Sequence, residues 1–465
     1  MSDSPRERLN TGAANDPVRQ VSDAIWRDLG RHRGVLDATD LGTVALVLVY
    51  LRSRPVWEML ADGASDIEQA IHADVSADQH GPRILRPVLD LVRAAEDARQ
   101  LEALLHLVGR YNPASVSFAQ VFSTILDRMA LDGGRKGAGE FHTPRSITDL
   151  AAALLTPAPN SRIFDPCCKG GGFLAAILDQ MTFEREDEGQ PPMVSISDYS
   201  ARSCALAYLS LRMRGVTPEV LPNPAVSLPA GAANQRFDVV TTNPPFNLAN
   251  WKSDQVVEGR WMYEPPPEHS SNYAWLQYVV ASLRDGGHAA VVMPVGAGFS
   301  ENPQESRIRR AMVEDGVISA VIALPAQLFA NTAIPVTMWL LERSTVARPN
   351  EVLFVDASEL GTMPERARRS LTDTDIERIV EAYGAWRDLR LNAVSGFAVG
   401  VSIEHLRDAE YKLNPRAHMA PTDVLPDIQE ETVRVRGLAQ QLRRLTEQAG
   451  NADRVIEGYL EELSL

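Results

Sequence analysis

Hydrophobic and polar positions change their period along the chain, and the changes divide it. From residue 21 to residue 131 apolar residues recur at three and four spacing, as in Ala24-Ile25/Leu29, Leu41/Val44/Leu48/Leu51 and Ile84/Val88/Leu91, which predicts an all-helical N-terminal domain. Residues 1–20, rich in Asp, Arg, Asn and Pro, read as a frayed, disordered tail. Residues 132–140, with Gly133-Gly134-Arg135-Lys136-Gly137, read as a glycine-rich linker. Over residues 141–425 short apolar runs alternate with helical segments. The candidate strands are Arg162–Phe164, Met193–Ile196, Phe237–Thr241, His288–Met293, Val317–Ala323, Val336–Leu341 and Glu351–Asp356. This alternation predicts an α/β domain with a mainly parallel, doubly wound sheet, in which ligands sit beyond the carboxyl ends of the strands. Leu371-Thr372-Asp373-Thr374-Asp375 offers a cap to a helix over Ile376–Trp386. In residues 426–465, Val435, Leu438, Leu442, Leu445, Ala449, Ala452, Ile456, Tyr459 and Leu463 step by threes and fours, a coiled-coil seam for a partner helix or for the chain's own helical domain.

Chemistry concentrates at two strand ends. Asn243-Pro244-Pro245-Phe246 follows the apolar run Phe237–Val240 and two threonines. Its prolines fix φ and remove backbone donors, leaving carbonyls free beside the Asn243 amide oxygen. Phe246 could stack on a flat base while the Asn243 oxygen and the Pro244 carbonyl accept from its exocyclic amine, turning the amine lone pair toward a methyl donor. Standing alone, the tetrapeptide is equally a turn. The other end is Asp165-Pro166-Cys167-Cys168-Lys169-Gly170-Gly171-Gly172, a Gly-rich turn after a first strand, with Asp198 closing the second strand. That arrangement commonly holds a nucleoside-containing cofactor, Asp198 accepting from ribose hydroxyls; Asp198 also suits a helix N-cap.

Composition narrows the classes. The 465 residues are 45% hydrophobic, enough for sizeable cores. The apolar run near Leu41–Leu51 is too short to span a bilayer and the N-terminus is polar, so a cytoplasmic protein with no membrane contact is expected. The three cysteines, Cys167, Cys168 and Cys204, lack metal-ligand spacing, so no metal is expected. A net charge of −15 implies weak intrinsic affinity for nucleic acid. The basic clusters Arg135-Lys136, Arg307/Arg309/Arg310 and Arg434/Arg436/Arg443/Arg444 read as solvated faces.

In order along the chain, Gly139-Glu140-Phe141-His142-Thr143-Pro144-Arg145, Asp165–Leu174 and Asn243-Pro244-Pro245-Phe246-Asn247 resemble the cofactor-end, Gly-rich and catalytic motifs of adenine-N6 DNA methylases. The closer resemblance is to the modification subunit of type I restriction-modification systems, extending to Asn272–Gln277, Leu324-Pro325, Leu328-Phe329, Ile334-Pro335 and Tyr411–Arg416. It implies a Rossmann-like class I S-adenosylmethionine-dependent methyltransferase domain. The cofactor, S-adenosyl-L-methionine, is expected on Phe141, Thr143, Pro144, Asp165, Cys167, Lys169, Gly170, Gly171 and Asp198. An adenine flipped out of double-stranded DNA is expected on Asn243, Pro244, Pro245 and Phe246. It further implies a separate specificity subunit, two modification subunits to one, and a motor-nuclease subunit that the complex can recruit, in restriction-modification or phage defence.

Three positions depart from the family pattern. Lys169 stands where the first of the spaced glycines belongs, with Gly170 where a serine belongs. Val226 stands where an Asp usually meets the cofactor's adenine, and Ser197-Asp198 replaces Gln-Glu. Two readings follow: an active adenine methyltransferase, favoured by the intact Asn243–Phe246, or a non-catalytic DNA-recognition scaffold, favoured by Lys169 and Val226.

Overall fold

The computed structural model describes residues 16–30, 36–61, 66–78, 80–132, 142–183, 191–222, 237–249, 261–329, 334–343, 350–365, 368–389, 396–419, 440 and 442–446. Residues through His418 form one compact unit; the stretch from Met419 is another.

Among the described residues the first unit begins with seven helices: α1 (Pro17–Leu29), α2 (Ala38–Arg52), α3 (Trp57–Ala61), α4 (Ile67–Asp74), α5 (Gly81–Asp97), α6 (Leu101–Gly109) and α7 (Phe118–Asp132). Asp16, Asp37 and Asp66 start α1, α2 and α4, each side chain accepting from an otherwise unpaired backbone N–H of the first turn. The helix α1 therefore opens inside the segment whose composition suggests a tail. Buried on every side from Leu41 to Leu51, α2 is the axis of the helical layer, so its apolar run is a core helix rather than a one-faced amphipathic one.

The α/β part follows as α8 (Arg145–Leu155), β1 (Arg162–Asp165), α9 (Gly172–Phe183), β2 (Met193–Ile196), α10 (Ala201–Arg212), β3 (Glu219–Val220), β4 (Phe237–Thr242), α11 (Asn272–Ser282), β5 (Leu283–Pro294), α12 (Pro303–Glu314), β6 (Ile318–Ala323), β7 (Val336–Glu342) and β8 (Glu351–Asp356). A hairpin, β9 (Thr362–Glu365) with β10 (Arg368–Ser370), then α13 (Asp373–Arg387) and β11 (Ala398–Ser402), complete the large elements. The expected cap is present: Thr372 and Asp375 exchange hydrogen bonds as a capping box on α13.

Nine strands form one sheet in the order β11-β8-β6-β7-β5-β4-β1-β2-β3. The pairs β1–β2, β2–β3, β1–β4, β4–β5 and β6–β8 are parallel, whereas β7 runs against β5 and β6 and β11 runs against β8. The candidate strands are all present. Missing from the sequence reading are the two-residue β3, the polar β9–β10 hairpin and β11, none of which carries a long apolar run. The chain leaves β3 at one edge and returns to β4 beside β1, so the direction of winding reverses between β1 and β4. A crevice at such a reversal is where doubly wound sheets take ligands.

The helix α10 joins the sheet to the helical layer. From its last turn Arg212 donates to the Tyr50 hydroxyl (3.1 Å), to the Asp74 carbonyl (3.0 Å) and to the Asp74 carboxylate (3.2 Å). Arg54 also donates to Asp74 (2.8 Å), and Tyr208 donates to Asp78 (2.6 Å). Burial pushes the Asp74 carboxyl up, but bonds from Tyr50 and Arg54 and the charges of Arg54 and Arg212 outweigh it and hold the group below its ordinary value. The Tyr50 hydroxyl is driven up, by burial first and Asp74 second. The Tyr50, Arg54 and Arg212 contacts all depend on the Asp74 carboxylate. Asp74→Ala should lower unfolding free energy by about 2 kcal/mol, because two half-buried cations lose their counter-charge; a urea midpoint shift worth less than about 1 kcal/mol would show that water replaces it.

Candidate active site

The Gly-rich turn is built around the end of β1. Asp165 is fully buried and accepts from the Cys167 N–H (3.0 Å) through Oδ1, while Oδ2 has no hydrogen-bond partner. The Thr242 hydroxyl is near enough to favour the charged form yet outside hydrogen-bond geometry. Burial, reinforced by the charge of Asp198, pushes the Asp165 carboxyl up to about 8 against the pull of the Cys167 N–H and Lys169. Cys167 and Cys168 are buried free thiols raised well above their ordinary value by burial, so they serve as small apolar packing groups.

Lys169 takes φ +50°, the left-handed region that a side chain enters at a cost of about 1–2 kcal/mol. Two contacts offset that cost: its N–H donates to Asp198 Oδ2 (2.9 Å), and its Nζ donates to the His142 carbonyl (3.4 Å). Burial draws its ammonium below the ordinary value, against the pull of Asp198 and Asp165. Gly171, at φ +82°, could carry a side chain only with strain, and its Cβ would crowd the Ala207 Cα of α10 at 3.2 Å. Gly170 is buried between them. Asp198 fastens the turn to the end of β2 and also accepts from the Ser200 N–H (2.9 Å), but Ser200 is the N-cap of α10.

The second loop leaves β4. Asn243 is 2% exposed, and its Nδ2 donates to the Thr143 hydroxyl (3.1 Å). Among the described residues no donor reaches Asn243 Oδ1 or the Pro244 carbonyl, so both remain acceptors. Ser271 donates to the Pro245 carbonyl (3.4 Å). The loop is clamped by a reciprocal pair: the Asn247 N–H donates to Asn272 Oδ1 (3.0 Å) and Asn272 Nδ2 donates to Asn247 Oδ1 (2.7 Å). That clamp holds Asn247 at φ +51° and leaves Phe246 half-buried against the core.

Residues 142 and 143 connect the two loops. His142 faces Asp127 of α7 (Nδ1 to Oδ1, 3.2 Å), its carbonyl takes Lys169, and Thr143 takes Asn243. Pro144 is buried and ends this stretch ahead of α8. Thr143, Pro144, Asp165, Cys167, Lys169, Gly170, Gly171 and Asp198 thus surround the ends of β1 and β2, with Asn243–Phe246 beside them at β4. Phe141 and Val226 lie outside the described residues. Sequence reasoning missed Tyr199, 39% exposed, whose ring meets the buried Trp275 edge-on (6.0 Å) next to Asp198; an aromatic directly after a strand-end acid was its signal. It also missed the roles of Asn272 and Ser271, which only tertiary contact reveals. Among the described residues no group of three or more His, Cys, Asp or Glu could hold a metal ion, and no helix is long and apolar enough to cross a membrane.

Comparison with known proteins gives the family and the fold. A sequence model described as N-6 DNA methylase matches residues 115–426. The chain is 29% identical over 308 residues to the type I restriction enzyme HindI methylase subunit of Haemophilus influenzae, covering 65% of this chain and 68% of that one. It is 26% identical over 365 residues to the MjaIX methylase subunit of Methanocaldococcus jannaschii, covering 74% of this chain and 63% of that one. The crystal structure of a type I restriction-modification methyltransferase subunit from Streptococcus thermophilus superimposes with TM-score 0.67 at 20% identity, over 87% of this chain and 100% of the other. At that identity the likeness establishes the fold.

The strain at Lys169 is measurable. Lys169→Gly should raise unfolding free energy by about 1 kcal/mol through relief of the left-handed backbone. A fall in stability on urea unfolding would show that the contact with His142 outweighs the strain.

Proposed function

The chain belongs to the N-6 DNA methylase family, and we propose that it is the modification subunit of a type I-like restriction-modification or phage-defence complex, methylating N6 of an adenine flipped out of double-stranded DNA. One observation carries the reading: at the β1/β4 reversal, the amide oxygen of the buried Asn243 and the Pro244 carbonyl meet no donor among the described residues, beside a half-buried phenylalanine. Two acceptors and a ring are what an amine-bearing base needs. Asn243 Oδ1 and the Pro244 carbonyl would take the two amine hydrogens, holding the nitrogen lone pair toward the Gly-rich turn and stabilising the positive charge the nitrogen gains. Phe246 would stack on the base, an interaction worth about 1–3 kcal/mol.

The residues at β1 and β2 fit S-adenosylmethionine, which supplies an electrophilic methyl group on a sulfonium. The unpartnered Oδ2 of the buried Asp165 calls for a cation, and the donor's ammonium meets that need. Asp198 would hold ribose hydroxyls, and Tyr199 would wall the nucleoside. Because the chain carries a net charge of −15, most of the grip on DNA would come from a specificity subunit, two modification subunits to one, with a motor-nuclease subunit joining where the system restricts. Leu442 and Leu445 of the C-terminal seam, 66% and 61% exposed, suit a partner helix; the rest of the seam lies outside the described residues.

Radiolabelled methyl transfer to DNA by the chain purified with its specificity partner tests the reading. Asn243→Ala should abolish transfer and leave donor affinity by calorimetry within about twofold, since the amide acts on the base; transfer by the variant, or failure of the unaltered chain to bind donor, would overturn the proposal. Asp165 adds a pH signature. With its carboxyl at about 8 in the free protein, it is mostly protonated at pH 6, and a bound ammonium favours the carboxylate. Donor affinity should therefore climb with pH, by up to about tenfold per unit, and level off near 8. Asp165→Asn should retain only the ligand's own titration; an identical pH profile in both proteins would remove Asp165 from the donor site.

A further inference from the structure

We propose that Thr143 is a positioning residue for the catalytic amide, holding the Asn243 side chain in place beside the base; the assignment rests on the reading of Asn243 given above. By sequence Thr143 belongs to the cofactor loop. Its hydroxyl instead accepts from Asn243 Nδ2 at 3.1 Å, across 100 residues of chain, with both side chains buried at 8% and 2% exposure. No other described residue hydrogen-bonds the Asn243 side chain. An amide presents a donor end and an acceptor end of nearly the same shape, and only the acceptor end suits an amine whose two hydrogens both need acceptors. With Nδ2 held on the Thr143 hydroxyl, Oδ1 is the end left for the base. Without that contact the amide is free to rotate its NH2 group toward the amine, where donor meets donor.

Neighbouring contacts make Thr143 a stiff anchor. His142, the residue before it, is held by Asp127 of α7 through its ring and by Lys169 through its carbonyl, and the Pro144 carbonyl after it accepts from Ile147 and Thr148 of α8 (2.9 and 3.2 Å). The hydroxyl is thus fixed from the helical layer and from the Gly-rich turn. Asn243 takes its orientation from the same segment that borders the donor site.

The test uses the chain with its specificity partner, labelled donor and unmethylated genomic DNA. Thr143→Val keeps the shape and loses the acceptor; its kcat should fall about tenfold, the scale of one hydrogen bond, with KM for the donor within about twofold. Thr143→Ser keeps the hydroxyl and should return kcat to near the starting value. An unchanged kcat in Thr143→Val would overturn the proposal, as would parallel losses of kcat and donor affinity, which would make Thr143 a donor contact. If thermal melting shows that the valine variant does not fold, Thr143→Ala against Thr143→Ser carries the test, and equal kcat in those two overturns it. Asn243→Ala runs as the control: transfer by that variant defeats the reading of Asn243, whereas its inactivity beside a fully active Thr143→Val defeats the role of Thr143 alone.

Discussion

The site depends on β1 and β4 lying side by side and parallel. Ile163 pairs with Val239 and Phe164 with Val240, so the two strands end at the same level and deliver Asp165 and Asn243 to one crevice. The pairing is fixed from within by Phe164 stacked on Phe237, ring centroids 4.7 Å apart, and from outside by the Arg162 N–H donating to Asp238 (2.8 Å). A slip of one residue would turn every side chain to the other face of the sheet and bury the site. Two loops remote in sequence therefore lie side by side, and residues 142 and 143 contact both, the His142 carbonyl taking Lys169 and the Thr143 hydroxyl taking Asn243.

The helical layer takes part in this geometry. Gly171 lets the Gly-rich turn approach Ala207 of α10, and the far end of the same helix is locked by Arg212 into Tyr50 and Asp74. Through Asp127 and His142, α7 reaches the opposite side of the turn. Polar groups this well buried are costly unless paired, and here the pairs set the position of α10, against which the turn is shaped. Lys169 is the local exception: a side chain in a backbone conformation that favours glycine, held by Asp198 and His142.

Much of this was legible in the sequence because apolar runs and loop chemistry are local. Phe237–Val240 followed by Asn-Pro-Pro-Phe specifies a buried strand and a rigid loop whatever the rest of the chain does, and the Thr372 cap lies three residues from its Asp375 partner. Strand direction was not legible: Val336–Leu341 reads like its parallel neighbours, and only the pairing shows that β7 is reversed. The short β3 and the Gly-containing β11 carry too few apolar residues to register. At the site, residue types were readable but partners were not. Of the two readings of Asp198, the helix cap is excluded because the cap is Ser200, and its tie to the Lys169 N–H of the turn was not readable. Thr143 read as a cofactor residue, and its bond to Asn243 exists only once 100 residues of chain have folded back.

The central claim is that the free acceptors at Asn243 and Pro244 receive the amino group of adenine. The most direct measurement is the nucleoside composition, by mass spectrometry after enzymatic digestion, of DNA incubated with S-adenosylmethionine and the chain together with its specificity partner. N6-methyladenine as the one new nucleoside, absent when Asn243 is replaced by Ala, is the expected result. Donor bound but no methylated base formed, or N4-methylcytosine in place of N6-methyladenine, would contradict it.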